Sequence, residues 1–137
     1  MPATRERTLR LGLVAMAISA MAVGVPATIT PHGFFDGFPF VAHWVDRLGV
    51  YNQHLTSDVG TLYLAFAALF LRAAATLQTA LVVPLCFAWA AAQTVHLGFH
   101  VVHLSGFPVV DAVVQTLALA TLAAVPAALA VLARGRG

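Results

Sequence analysis

His96, His100 and His103 follow one another at intervals of four and three residues, with Gln93 three residues before the first. On an α-helix this spacing lines the three imidazoles along one narrow stripe and puts Gln93 a turn deeper on nearly the same face. His54 and Asp58 are a second pair four apart, and Asp111 and Gln115 a third. Imidazole and carboxylate groups are the usual ligands of zinc, iron, copper or manganese, and helix bundles build such sites from facing helices. On that reading His54, His96, His100 and His103 ligate a metal or a haem. Asp58 orients one imidazole through its free N–H, while Gln93, Asp111 and Gln115 complete a polar cluster. The same residues suit two other roles. They could be interhelical polar contacts at the headgroup boundary, worth ~0.6 kcal/mol each on average, or a site for a proton or a small polar ligand. Histidine-box hydroxylases and desaturases share the HxxxH spacing, but they need more histidines in several boxes, on the cytoplasmic side.

Other chemistries lack their parts. The chain contains no GxSxG, Walker-type glycine loop, GxGxxG or HExxH, so nucleophilic and nucleotide chemistry have no foothold. The single cysteine, Cys86, sits in an apolar run and allows neither an internal disulfide nor a CxxC motif. The formal charge of +2 and pI near 9.3 come from basic residues at the termini and one internal turn. Without a basic patch, nucleic acid is not an expected partner.

The elements that must position these side chains are set by hydrophobicity. Of 137 residues, 61% are hydrophobic and 9% charged, and mean hydropathy is +0.90, beyond what a soluble core of this size requires. The lipid bilayer is therefore the expected surroundings. A membrane helix needs ~20 mostly apolar residues, and four such spans can be marked, at about 11–29, 52–72, 77–104 and 109–133. The expected fold is all-α, a single four-helix transmembrane bundle over 1–137. The first span, preceded by Arg5, Arg7 and Arg10, also has the layout of a secretory signal peptide, with small residues from Ala20 to Ala27 near a cleavage point. Its apolar stretch exceeds the ~7–15 residues of a signal h-region, which favours an uncleaved span. Pro84 should kink the third span.

Between the first two spans lies the longest loop, opening with the turn formers and aromatics of Pro31 to Pro39. A short interfacial helix is expected after it. Pro39 suits a first helical position, Gly49 suits the residue past the end, and Phe40, Val41, Trp44, Val45 and Leu48 make one apolar face. Trp44 would anchor it among the headgroups, with His43, Asp46 and Arg47 on its wetted side. Arg5, Arg7, Arg10, Arg72, Arg134 and Arg136 then fall at one end of the bundle, against Arg47 alone at the other. The positive-inside rule puts both termini in the cytoplasm and every histidine and aspartate facing outward. Equal rise from a turn near Ala73 to Thr76 would bring His54 within a helical turn of His96.

The stretch Phe38-Pro39, Trp44-Val45, Leu48 to Leu55, Asp58-Val59-Gly60 and Leu62 to Ala65 resembles small four-helix integral membrane proteins of high-GC actinobacteria, broadly DoxX-like. The third-helix histidines follow the likeness more loosely. Arginine without lysine, together with abundant alanine and valine, fits such a source. The resemblance implies a four-helix inner-membrane protein. It does not carry over the oxidoreductase association of the namesake, since no cofactor-binding residues of that system are identifiable here. Two functions follow as expectations. One is a non-catalytic accessory subunit or small-ligand binder, acting as a homo-oligomer or within a larger assembly. The other is a metal- or haem-dependent membrane oxidoreductase using the histidine stripe with zinc, iron, copper or haem.

Overall fold

The computed structural model describes residues 3–135, and among them the fold is all-α. Four long helices form the bundle: α1 (Ala3–Ile29), α3 (Gln53–Thr76), α4 (Thr79–Val102) and α5 (Val109–Arg134). A short helix, α2 (Pro31–Gly37), follows α1. The long helices run 24 to 27 residues with apolar windows of mean hydropathy 1.6 to 2.2. Each is long and apolar enough to cross a bilayer, which marks the chain as a multi-pass membrane protein.

The ends of the helices follow local chemistry. α1 starts at Ala3 rather than Leu11 because nothing between Thr4 and Arg10 breaks a helix. Asn52 caps α3, its Oδ1 accepting from the Leu55 N–H at 3.1 Å. At its other end α3 runs past the expected turn to Thr76, since alanines propagate a helix well. Leu77, at φ 51°, ends it in the left-handed region, with its N–H donating to Ala73 O at 2.8 Å. Pro26, Pro84 and Pro126 all lie inside long helices. Each removes one intrahelical hydrogen bond.

The loop helix is displaced from its expected position. It occupies Pro31–Gly37, and the segment from Pro39 onward holds only a 3₁₀ turn at Asp46–Leu48. Pro31 takes the first-turn position where a missing N–H is harmless. Further on, Phe40 and His43 adopt φ of 57° and 56°, which interrupts any α-helical repeat across the predicted apolar face. The chain instead folds back on itself, Trp44 N–H donating to Phe38 O at 2.8 Å.

Pairing departs from sequence order. α1 packs mainly on α3, and α4 mainly on α5. Although α3 and α4 are consecutive, their backbones meet little, and α1 reaches across to α5. The α1–α3 contact is close because of two glycines. A Cβ on Gly60 would sit 2.6 Å from Thr28 Oγ1 and 2.8 Å from its nitrogen, and one on Gly24 would sit 3.0 Å from Gly60 O. Small residues allow such an approach, and close packing is what holds helices together in lipid.

The filled core lies toward the end that carries the arginines. Leu9, Leu13, Ala17, Phe70, Val82, Cys86 and Ala130 are fully buried there. Trp89 is buried at its centre and receives Tyr63, Phe66 and Phe70 edge-on, at centroid distances of 5.1, 5.1 and 5.4 Å. Arg10 Nη1 donates to Ala74 O at 2.6 Å and to Ala75 O at 3.1 Å. Arg5 donates to Gly135 O at 2.7 Å and also to Leu132 O. Two arginines of α1 thus satisfy carbonyls left open at the C-terminal ends of α3 and α5, where positive charge is also favoured.

Candidate functional site

The opposite end of the bundle is hollow. A chamber of about 570 Å³ opens between the four long helices. α1 contributes Val23 and α3 contributes Val59 and Tyr63. α4 adds His96, Phe99 and His100, and α5 adds Gln115, Ala118, Leu119 and Leu122. Its roof is the loop after α1, through Phe34, Phe38, Pro39, Trp44, Val45 and Leu48. The displacement of the loop helix matters here. A straight amphipathic helix over 39–48 would lie flat on the membrane, whereas the folded-back segment turns Trp44 inward as a wall of the chamber.

The walls are apolar except for a few groups. His100 and Gln115 are buried, and His100 Nδ1 lies 2.6 Å from Gln115 Oε1. With the amide oxygen facing it, Nδ1 donates to Gln115 Oε1. Gln115 Nε2 has no partner although the residue is completely buried. The Trp44 Nε1–H is likewise buried without an acceptor. The His96 ring stands beside that of His100, with centroids 4.7 Å apart. Below, Gln93 is buried and donates from Nε2 to Tyr63 Oη at 3.1 Å, so a polar link between α3 and α4 borders the space.

Of the sequence-identified residues, His96, His100, Gln93 and Gln115 are gathered at or beside the chamber. The others are not. His54 faces outward on α3, its Nε2 lying 3.3 Å from Asp58 Oδ2, with both side chains exposed. His103 ends α4, its Nδ1 lying 2.7 Å from Phe99 O and its ring stacked on Phe99 at 4.2 Å. Asp111 sits in the first turn of α5, where a carboxylate complements the helix N-terminus. The expected convergence of His54, His96, His100 and His103 therefore does not occur. Among the described residues no group of three or more His, Cys, Asp or Glu side chains is placed to hold a metal ion. The reason is the face each residue occupies: α3 meets α4 through Tyr63, Phe66 and Phe70, whereas His54 lies on an exposed face of α3 beside Asp58.

A second pattern explains the outer histidines. His32 Nδ1 lies 2.8 Å from Asp36 Oδ2 and His43 Nδ1 lies 3.1 Å from Asp46 Oδ2, so these two match the His54–Asp58 pair. All three are local pairs three or four residues apart, two of them on exposed surface and the third with Asp46 partly buried. Among the described residues no carboxylate pairs with the histidines of α4, and no carboxylate lines the chamber.

Sequence reasoning missed the roof. The density of aromatics in Phe34, Phe35, Phe38, Phe40 and Trp44 was the available signal, and it points to an enclosed apolar space as readily as to a membrane belt. Arg47, assigned to a wetted helix face, ties the roof to the connection between α4 and α5. Its Nη1 donates to Gly106 O at 3.1 Å, and its guanidinium stands 5.7 Å from the centre of the Phe107 ring. No family model, curated protein or solved structure matches the chain. The arrangement itself defines what the site can do. It offers a partly open, mostly apolar chamber of the size that takes a small organic molecule, with a polar corner to orient it.

Proposed function

We propose that this protein is a non-catalytic membrane protein that takes up a small lipophilic ligand between the helices of its histidine-bearing end. The observation that carries the reading is the chamber of about 570 Å³, within the ~300–1,000 Å³ of small-molecule sites and lined mostly by apolar side chains. Among the described residues the wall presents no serine, threonine, cysteine, lysine or carboxylate beside its histidines and Tyr63, which favours binding over turnover. Arg5, Arg7, Arg10, Arg72 and Arg134 at the opposite end support, under the positive-inside rule, cytoplasmic termini and a chamber in the outer leaflet, and the resemblance to DoxX-like proteins supports a bacterial inner membrane. A kinship with DoxX-like proteins belongs to the same proposal and rests on the stretch from Phe38 to Ala65 together with the four-span layout. Apolar side chains exposed along α4 and α5, such as Val95, Val102, Val113 and Leu117, suit lipid, a second copy or a larger assembly in which the chain is an accessory subunit.

The test uses the two tryptophans. In a Trp89→Phe protein in nanodiscs, Trp44 on the chamber wall is the sole indole. Bromododecane, an alkyl heavy-atom quencher, should quench its emission with a saturable component, and Ala118→Phe, which fills the chamber, should remove that component. Quenching that rises only linearly with the bromododecane content of the bilayer, identical in both proteins, would show that Trp44 meets lipid and not a bound ligand.

A further inference from the structure

Two residues on the chamber wall, Gln115 and Trp44, hold buried side-chain donors without a partner, whereas the buried unpaired acceptors Gln93 Oε1 and Asp46 Oδ1 belong to residues outside that wall. Gln115 is completely buried and its amide oxygen is occupied by His100, which leaves the two hydrogens of Nε2 without a partner. Trp44 adds an indole N–H that is buried and unpaired. His96, on the wall, brings a ring N–H when neutral. An orphaned donor away from water costs about 1–3 kcal/mol, so such groups normally have a partner, here one that the chain itself does not supply. Among the described residues no aspartate or glutamate lines the chamber to provide one. The rest of the enclosure is aliphatic and aromatic.

We infer that the ligand is an acyl chain headed by a carbonyl oxygen, a free fatty acid or an acyl ester. Its chain fills the apolar space, and its C=O accepts from Gln115 Nε2 and Trp44 Nε1. This rests on the chamber being a ligand site, and it adds the chemical class of the head. An alkane would leave both donors unpaired, and an ammonium head would set a cation against N–H groups. A carbonyl satisfies the donors without requiring a charge at the wall. His96 stands close enough to His100 to join the same corner.

The experiment is competition against the saturable bromododecane quenching of Trp44 in the Trp89→Phe protein. Dodecanoic acid, methyl dodecanoate and dodecane are compared at equal mole fraction in the bilayer. At least one carbonyl compound should compete about tenfold better than dodecane, the ratio that corresponds to about 1.4 kcal/mol. Gln115→Met, which keeps the side-chain length and removes the donor, should bring it to the level of dodecane. Acid and ester competing alike identifies the neutral carbonyl as the feature read, and the acid alone identifies a carboxyl-specific site. If Gln115→Met does not fold, methyl [1-¹³C]dodecanoate bound to the Trp89→Phe protein supplies the second readout, since a carbonyl accepting N–H donors shifts downfield from its bilayer position. Equal competition by all three compounds, or an unshifted carbonyl signal, overturns the assignment of the head while leaving the chamber a ligand site. Absence of any saturable quenching overturns both.

Discussion

The same four helices are solid at one end and hollow at the other. At the arginine end Trp89, Phe70, Leu9 and Leu13 leave no room, and Arg5 and Arg10 reach carbonyls that the helix termini leave open. At the histidine end about 570 Å³ stays unfilled, while buried side-chain groups without partners occur at both ends, Gln115 Nε2 and Trp44 Nε1 here and Arg5 Nε and Trp89 Nε1 there. In lipid there is little hydrophobic force between helices, so association depends on close packing and polar contacts. A void forfeits those contacts. The contrast therefore divides the molecule: the arginine end holds the bundle together, and the histidine end keeps a space that packing alone would close.

The division breaks most readily at Trp89. Truncating this ring to alanine removes three edge-on aromatic contacts from a fully packed site, and we expect a loss of about 3–5 kcal/mol, as for other buried aromatic truncations. Val59→Ala, on the chamber wall, leaves a larger space where one already exists and should cost under about 1 kcal/mol. Unfolding of the two variants by a denaturing detergent, followed by circular dichroism, measures the difference. Equal losses would mean that the two ends contribute alike.

A second contrast lies between two glycines. Gly60→Ala drives a methyl into the Thr28 backbone at a helix crossing, and should destabilise by about 1–3 kcal/mol. Gly98, on α4, has nothing within 4 Å of its missing Cβ. Gly98→Ala should be neutral or stabilise by up to about 1 kcal/mol through helix propensity alone. The same unfolding assay reads both, and a destabilising Gly98→Ala would show that the histidine end is tighter than its chamber implies.

The long helices were legible in the sequence because their signal is local: a run of ~20 apolar residues excludes almost every alternative in lipid. Their ends were less so. The turn near Ala73 moved to Leu77 because alanines neither stop a helix nor mark its stop. Pairing was not legible. Consecutive membrane helices usually pack together, and only the close approach at Gly24 and Gly60, a detail of two residues, shows why α3 turns to α1. The site was half legible for the same reason. Residues on a single helix, Gln93, His96 and His100, were brought together by periodicity, and Gln115 joined them from α5. His54 depends on which face of α3 turns to α4, and that face carries Tyr63, Phe66 and Phe70 instead. The roof depended on backbone angles at Phe40 and His43, which no hydrophobic pattern encodes in residues other than glycine.

The smallest effect concerns the roof itself. Arg47 is exposed, and its hydrogen bond to Gly106 O and its approach to the Phe107 ring join the loop after α1 to the loop before α5. Exposed contacts of this kind are worth about 0.5–1 kcal/mol, so Arg47→Ala should leave global unfolding almost unchanged. The segment from Phe38 to Leu48 is different, because it has few backbone hydrogen bonds of its own and local opening depends on the contacts that pin it. Losing about 0.5–1 kcal/mol there should speed amide hydrogen exchange across 38–48 by about two- to fivefold, while the amides of α1 and α3 near Leu13 and Phe70 keep their protection. Exchange that accelerates equally in both places would mean that the roof and the packed core open together, and that the two ends are one cooperative unit.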